Sequence, residues 1–160
     1  MYLLASTSVV IELPRVRVFD YVTNLTNFAQ WFPAVVEVTS RDNVAPATVG
    51  KQYDEIFLMP LRGRRSVGIR VIEVDPPWRI VTEGALALLR PRMEIQFQDA
   101  GLNTCKVQWR MLSRNSAPMA RWTVLPLARQ LMQKRADAAM RRLKKILESG
   151  QASGSRALLM

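Results

Sequence analysis

Between Val36 and Arg114, apolar and polar residues alternate with a period of two, in six runs divided by turn-forming residues, and one long helical pattern follows. A period of two marks strands with one buried face. The dividers Pro60–Gly63, Pro76-Pro77 and Asp99–Asn103 are of hairpin length, so consecutive runs pair antiparallel. A sheet of this size has an apolar face to cover, and only the C-terminal helix is long enough to cover it. These constraints predict an α+β fold: a curved antiparallel sheet of about seven strands wrapped around a long C-terminal helix, with a cavity where sheet and helix do not close completely.

The remaining elements fit this scheme. Thr7–Glu12 is β-branched and short, a strand rather than a signal peptide, because no positive segment precedes it. Pro14–Thr23 has helical spacing and opens on a first-turn proline. Phe28–Phe32 reads as a second short helix, capped by Thr26 or Asn27 and ended by Pro33. The six later strands are expected at Val36–Arg41, Val49–Met59, Arg65–Asp75, Trp78–Glu83, Arg92–Asp99 and Thr104–Arg114. Ser116 and Pro118 suit a helix start, and the pattern continues to about Glu148 with Gly150 as stop. Pro126 inside it implies a kink, or a true start near Thr123. One domain over 1–148 and a flexible tail over 149–160 are expected.

The chain of 160 residues has no histidine and one cysteine, Cys105. Triads and dyads that need an imidazole are therefore excluded, as is a zinc site built from Cys and His. No metal and no cofactor are expected. A lone cysteine forms no internal disulfide, which fits a cytoplasmic setting. No apolar run reaches the roughly 18 residues of a membrane span.

The net charge of +10 raises the question of a polyanionic partner. Its placement suggests an answer. On a helical wheel Trp122, Leu125, Ala128, Met132, Ala136, Ala139, Leu143, Ile146 and Leu147 form one stripe. Lys134, Arg135, Arg141, Arg142, Lys144 and Lys145 lie opposite. That basic face reads as solvated, with an anionic membrane or acidic partner as the alternative. No helix-turn-helix, zinc-finger or RNA-binding aromatic motif accompanies the charge, so nucleic acid is not the expected partner. Arg62, Arg64 and Arg65 read as a solvated turn. Arg121 and Arg129 lie on or beside the stripe, either snorkelling at its edge or projecting into the cavity.

Alternation nominates a cavity lining. Trp109 and Met111 come from the last strand, Met93 and Phe97 from the strand before it, and Trp78 from the strand after the double proline. Tyr53, Glu55, Phe57 and Met59 share a face of an earlier strand; Phe28, Phe32, Leu125, Met132 and Arg129 come from helices. Glu55 is the polar exception. Facing inward it needs a raised pKa or an arginine partner; facing outward it is an ordinary surface carboxylate. Glu55, Tyr53 and Arg129 are the only grouping in this set able to move a proton or polarise a carbonyl.

Several segments together resemble a known superfamily. They are Ser8–Glu12; then Pro14, Val18, Phe19, Tyr21, Val22 and Asn24; then Asn27, Trp31, Pro33 and Val35. Val49-Gly50 and the run Val71, Glu73, Val74, Asp75, Pro76, Pro77, Arg79, Ile80 add to them. In order and spacing they resemble the SRPBCC, or START-like, superfamily, nearest to its polyketide cyclase/dehydrase and lipid-transport group. The resemblance implies a helix-grip fold and a hydrophobic small molecule held between sheet and helix. Some members cyclise polyketides and others carry lipids or quinones. It supplies no single catalytic motif to place on these residues. Binding or transport of a lipid, quinone or polyketide-like molecule is the expected function, with an aromatase/cyclase-type enzyme or a membrane-surface module as alternatives.

Overall fold

The alternating runs pair in succession. In a computed structural model that describes residues 1–158, with side chains described through residue 150, seven strands form one antiparallel sheet in the order β1-β7-β6-β5-β4-β3-β2. These are β1 (Tyr2–Ile11), β2 (Val35–Ser40), β3 (Gln52–Met59), β4 (Gly63–Asp75), β5 (Arg79–Gly84), β6 (Pro91–Gly101) and β7 (Thr104–Ser113). Helices α1 (Arg15–Thr23) and α2 (Phe28–Trp31) follow β1, joined by a 3-10 turn at Leu25–Asn27. Helices α3 (Pro118–Trp122) and α4 (Val124–Leu158) end the described chain. The expected helix-grip architecture is therefore present.

The strand faces follow the period. Cys105, Val107 and Trp109 of β7 are buried, as are Met93, Ile95 and Phe97 of β6 and Val67, Ile69 and Val71 of β4. The register aligns them across the sheet: Phe97 with Val107, Ile95 with Trp109, Met93 with Met111. These side chains pack against α1, α2 and the inner face of α4. The outer face of the sheet is polar. Arg92 meets Glu73, Glu83 and Glu94 there at 3.0–3.1 Å, tying three strands together.

Several boundaries differ from expectation. β1 begins at Tyr2 rather than Thr7. Leu4 and Ala5 are both buried because the register with β7 shifts between Leu3 and Ala5, so a bulge hides the alternation there. Of the two alternatives raised by Pro126, a start near Thr123 is the one found: Thr123 divides the short α3 from α4. Pro126 then occupies the first turn of α4, where its missing N–H has no intrahelical partner to lose. The break also takes Trp122 out of the apolar stripe; it is 86% exposed. Finally, helical backbone continues past Gly150 to Leu158, a tolerable arrangement since an internal glycine costs about 1 kcal/mol. The side chains of 151–160, within the expected tail, lie outside the described residues.

β1 is an edge strand, and α4 satisfies its free backbone. The Gln133 amide accepts from the Ser6 N–H and donates to the Ser6 carbonyl, both at 3.1 Å. Lys144 donates to the Val10 carbonyl at 2.7 Å, and Glu148 accepts from the Glu12 N–H at 3.1 Å. These bonds cover an edge that could otherwise pair with another chain. They also fix which side of α4 meets β1, and so which side faces the cavity.

At the other edge, Lys51 is a buried cation. Its Nζ donates to the Ser40 hydroxyl, to the Asp42 carboxylate at 2.7 Å and to the Asp42 carbonyl at 3.2 Å. This tie holds the β2–β3 connection closed. It keeps the Asp42 carboxyl below the usual range, so the tie is present above the ordinary carboxylate pKa and is lost as the pH falls through the lowered one. Lys51→Ala removes the cation while Asp42 can rehydrate, so a loss of about 2 kcal/mol is expected. Urea unfolding at pH 7 measures it, and an unchanged midpoint would refute the role.

Candidate functional site

Between the sheet and α4 lies a cavity of about 90 Å³. Its floor is a strip of register neighbours: Glu55 opposite Val67, Ile69 opposite Gly84, and Thr82 opposite Met93, which in turn faces Met111. Phe28 and Phe32 of the α2 region stack at 4.8 Å and close one wall. Met132 and Arg135 of α4 form the roof. Pro33, Ala34 and Val35 complete the lining where the chain leaves α2. The strip is tight at Gly84, where a Cβ would stand 2.8 Å from Pro91 Cγ.

The lining is apolar apart from Glu55, Thr82 and Arg135. Glu55 points inward, which settles its parity. It is half-buried in the lining, and no hydrogen bond or ion pair to its carboxyl is present among the described residues. Desolvation by burial pushes its pKa up to about 7. Near neutral pH the group is thus divided between acid and carboxylate. Burial likewise lowers the pKa of Arg135, whose Nη2 donates to the Leu58 carbonyl at 3.3 Å. Glu55 and Arg135 form no ion pair with each other, so each keeps unused hydrogen-bonding capacity.

Seven of the nominated residues line this cavity: Phe28, Phe32, Glu55, Phe57, Met93, Met111 and Met132. Tyr53, Phe97, Trp109 and Leu125 are buried in the core without bordering it. The Tyr53 hydroxyl lies buried near the Leu25 backbone, outside bonding geometry, and burial raises its pKa. Met59 ends β3 beyond the lining.

Two nominations are corrected outright. Trp78 precedes β5, in the turn after the double proline, and faces outward, with the Arg15 guanidinium 3.3 Å above its ring. Arg129 borders an outer groove with Tyr2, Gln130 and Gln133. It stands one turn before Gln133 on the side of α4 that clamps β1, which turns it away from the cavity. The expected grouping of Glu55, Tyr53 and Arg129 is therefore not assembled. Arg121 is exposed on α3.

Arg135, expected on the solvated basic face opposite the stripe, is instead a half-buried lining residue of the cavity. The wheel carried the signal: at about 100° per residue Arg135 projects close to Ala128 and Ala139, at the edge of the apolar stripe. Thr82 was hidden by its polarity within β5. Cys105 is buried and its thiol is pushed up to about 11, mainly by desolvation, so it is a core side chain and not a nucleophile at neutral pH. Among the described residues no group of three acidic, Cys or His side chains could hold a metal ion.

A seven-stranded curved sheet holding one long helix over an apolar cavity defines the helix-grip class of ligand-binding domains. Within that class the chain belongs to the family described as polyketide cyclase/dehydrase and lipid transport, which matches residues 3–148. Solved structures share the fold at low identity. A START superfamily protein from Mycobacterium smegmatis superposes with a TM-score of 0.68 at 12% identity, covering 92% of this chain and 98% of that one. The protein TTHA0849 from Thermus thermophilus gives 0.67 at 14%, covering 91% and 97%. The di-domain ARO/CYC StfQ of the steffimycin biosynthetic pathway gives 0.68 at 11%; 94% of this chain spans 52% of that protein, about one of its two domains. No curated protein matches the sequence. No helix among the described residues is long and apolar enough to cross a membrane.

Proposed function

We propose that the chain binds a hydrophobic small molecule by inserting one end of it between the sheet and α4, with the polar group of that end meeting Glu55 and Arg135. The observation that carries this reading is a carboxyl, Glu55, set in an otherwise apolar cavity with no hydrogen bond or ion pair among the described residues, where desolvation pushes its pKa up to about 7. A buried polar group without a partner costs stability unless a ligand satisfies it. The volume sets the scale. At about 90 Å³ the cavity is below the roughly 300–1,000 Å³ that encloses a whole drug-sized ligand. It suits a ring or short-chain end, with the rest of the molecule lying in the opening beside Pro33, Ala34 and Val35. The family's lipid and polyketide chemistry supplies candidates of this kind.

Displacement of an apolar fluorescent dye from purified protein, together with native mass spectrometry of co-purified ligand, tests the proposal. Arg135→Ala and Glu55→Gln are each expected to weaken dye or ligand binding about tenfold, the loss of one charge-assisted or buried hydrogen bond. No retained ligand, and dye affinity unmoved by either variant, would refute it.

One observation favours a catalytic variant of this reading. A carboxyl poised near neutral pH can take a proton from an acidic carbon between two carbonyls and return it to oxygen. Cyclisation of a poly-β-keto chain needs such a transfer. The reaction is expected to show a pH–rate inflection near 7 that disappears in Glu55→Gln; unchanged turnover in that variant would refute the enzyme reading. Binding ranks ahead because the cavity is small and neither Tyr53 nor Arg129 joins Glu55 in it.

A further inference from the structure

The antiparallel order gathers three connections at one end of the sheet. They are the β3–β4 turn, the β5–β6 loop and the passage from β7 through α3 into α4. Hydrogen bonds tie the last two together: Asn115 Nδ2 donates to the Leu88 carbonyl at 2.6 Å, and the Arg114 N–H to the Arg90 carbonyl at 2.9 Å. The β3–β4 hairpin projects beyond the end of β5, since pairing between β4 and β5 stops at Ile69–Gly84. Phe57, Gly84, Pro91 and Met132, from these same elements, border the cavity, which therefore reaches toward this end.

This end combines exposed apolar side chains with unopposed cations. Leu61, Leu88, Met119, Trp122 and Leu127 are all more than half exposed. Leu61 occupies a left-handed backbone position, φ 63°, at the hairpin tip, where turn chemistry favours Gly or Asn and a bulky side chain gains nothing from the fold. Residues 58–67, 84–91 and 113–130 contain seven arginines and no Asp or Glu. Six of the seven, Arg62, Arg64, Arg65, Arg90, Arg121 and Arg129, are exposed. The opposite end differs: Asp75 ends β4 and Asp99 lies near the end of β6 there, and Trp78 is covered by Arg15.

We infer that this end docks on an anionic lipid bilayer, with Trp122, Met119, Leu127, Leu88 and Leu61 entering the interface and the arginines meeting acidic headgroups. Scattered apolar residues alone would not single out a partner. A protruding apolar set ringed by cations, with no acid among them, matches the layered chemistry of a bilayer surface: anionic outside, apolar just beneath. A protein groove would instead have to supply both a matching apolar cleft and a set of acidic contacts for these arginines. The contact would set this end of the cavity against the membrane, but it does not depend on what the cavity holds.

Vesicle sedimentation of the full chain tests this, with phosphatidylcholine alone against phosphatidylcholine containing about one-third phosphatidylglycerol. Binding is expected on the anionic vesicles, falling as salt is raised. Arg62→Ser and Arg121→Ser should each lower it about fivefold, since an arginine near such a surface contributes about 1 kcal/mol. Trp122→Ser should lower it about tenfold, and being exposed should leave the urea midpoint unchanged. Charge reversal of Arg141, Arg142 and Lys145, on the outer face of α4, should have a smaller effect than the paired Arg62→Ser and Arg121→Ser change. Absence of binding to anionic vesicles at low salt overturns the inference, including the case where the patch serves a protein. So does binding that survives Trp122→Ser but is abolished by the α4 reversals. Dye affinity for the cavity, measured in parallel without vesicles, keeps its outcome separate from the ligand proposal.

Discussion

Replacing Glu55 with Gln is expected to stabilise the protein by about 3 kcal/mol at pH 8 and to change little at pH 4. The unfolded carboxyl titrates at the ordinary glutamate value of 4.5, and the folded one at about 7, because burial disfavours the charged form. The folded state therefore holds the proton more tightly. Below pH 4.5 both states are protonated and Glu55 is neutral in its effect. As the pH rises from 4.5 to 7, the unfolded chain gives up its proton first, so stability falls. Above 7 the full penalty stands, about 3 kcal/mol for a pKa raised from 4.5 to about 7. Glutamine has nearly the same shape and does not ionise, so it escapes the penalty. Urea unfolding of both proteins from pH 4 to pH 9 measures the difference. A gain of equal size at pH 4 and pH 8 would show that the carboxyl is hydrated in the folded state and would remove the basis for its near-neutral pKa. A carboxylate kept at such a cost is consistent with use by a ligand, since a purely structural site would be better served by an amide or an apolar side chain.

The architecture was legible because it rests on long periodic runs. The alternation of Cys105, Val107, Trp109 and Met111 fixes the inner face of β7, and antiparallel pairing propagates that face across the sheet. Parity alone leaves Glu55 open between the two faces of β3, since a one-residue irregularity would flip it; its register with buried Val67 of β4 is what places it inward. Legibility failed where a local irregularity shifts the period. The bulge at Leu4 hides the start of β1, and the break at Thr123 moves Trp122 from the apolar stripe to the surface. Trp78 misled because its aromatic ring suggests burial, while its position in the β4–β5 turn puts it outside, where Arg15 covers it. Arg129 and Arg135 are the instructive pair. The sequence pattern puts Arg129 on or beside the stripe of α4 and Arg135 opposite it, whereas both flank the stripe, and intrinsic pattern cannot say which flank faces the cavity. That choice is made by tertiary hydrogen bonds, chiefly the Gln133 clamp on Ser6, which rotate one flank onto β1 and leave the other over the cavity.

Phe32→Ala is expected to destabilise the protein by about 4 kcal/mol and, unlike an ordinary core truncation, to be partly rescued by a small apolar ligand. Phe32 is buried, stacks on Phe28 at 4.8 Å, and lies 5.3 Å from the Trp109 ring and 6.0 Å from Trp31. Its ring is shared between the aromatic core and the cavity wall. Removing it loses both the aromatic contacts and the burial of a large side chain, and merges the void with the existing cavity instead of letting the core collapse. The enlarged, apolar space should take a benzene-sized molecule, as dry cavities of about 150 Å³ do. A ligand that binds only the folded state adds stability by mass action, about 2.7 kcal/mol at a hundredfold excess over its Kd. Thermal unfolding of Phe32→Ala with and without saturating toluene provides the measurement, with Ile80→Ala as control because Ile80 is buried in the core away from the lining. Rescue of Phe32→Ala but not of the control ties the void to an accessible site. Equal behaviour of the two variants would mean that the cavity is sealed packing space, and the proposal of an inserted ligand end would lose its entrance.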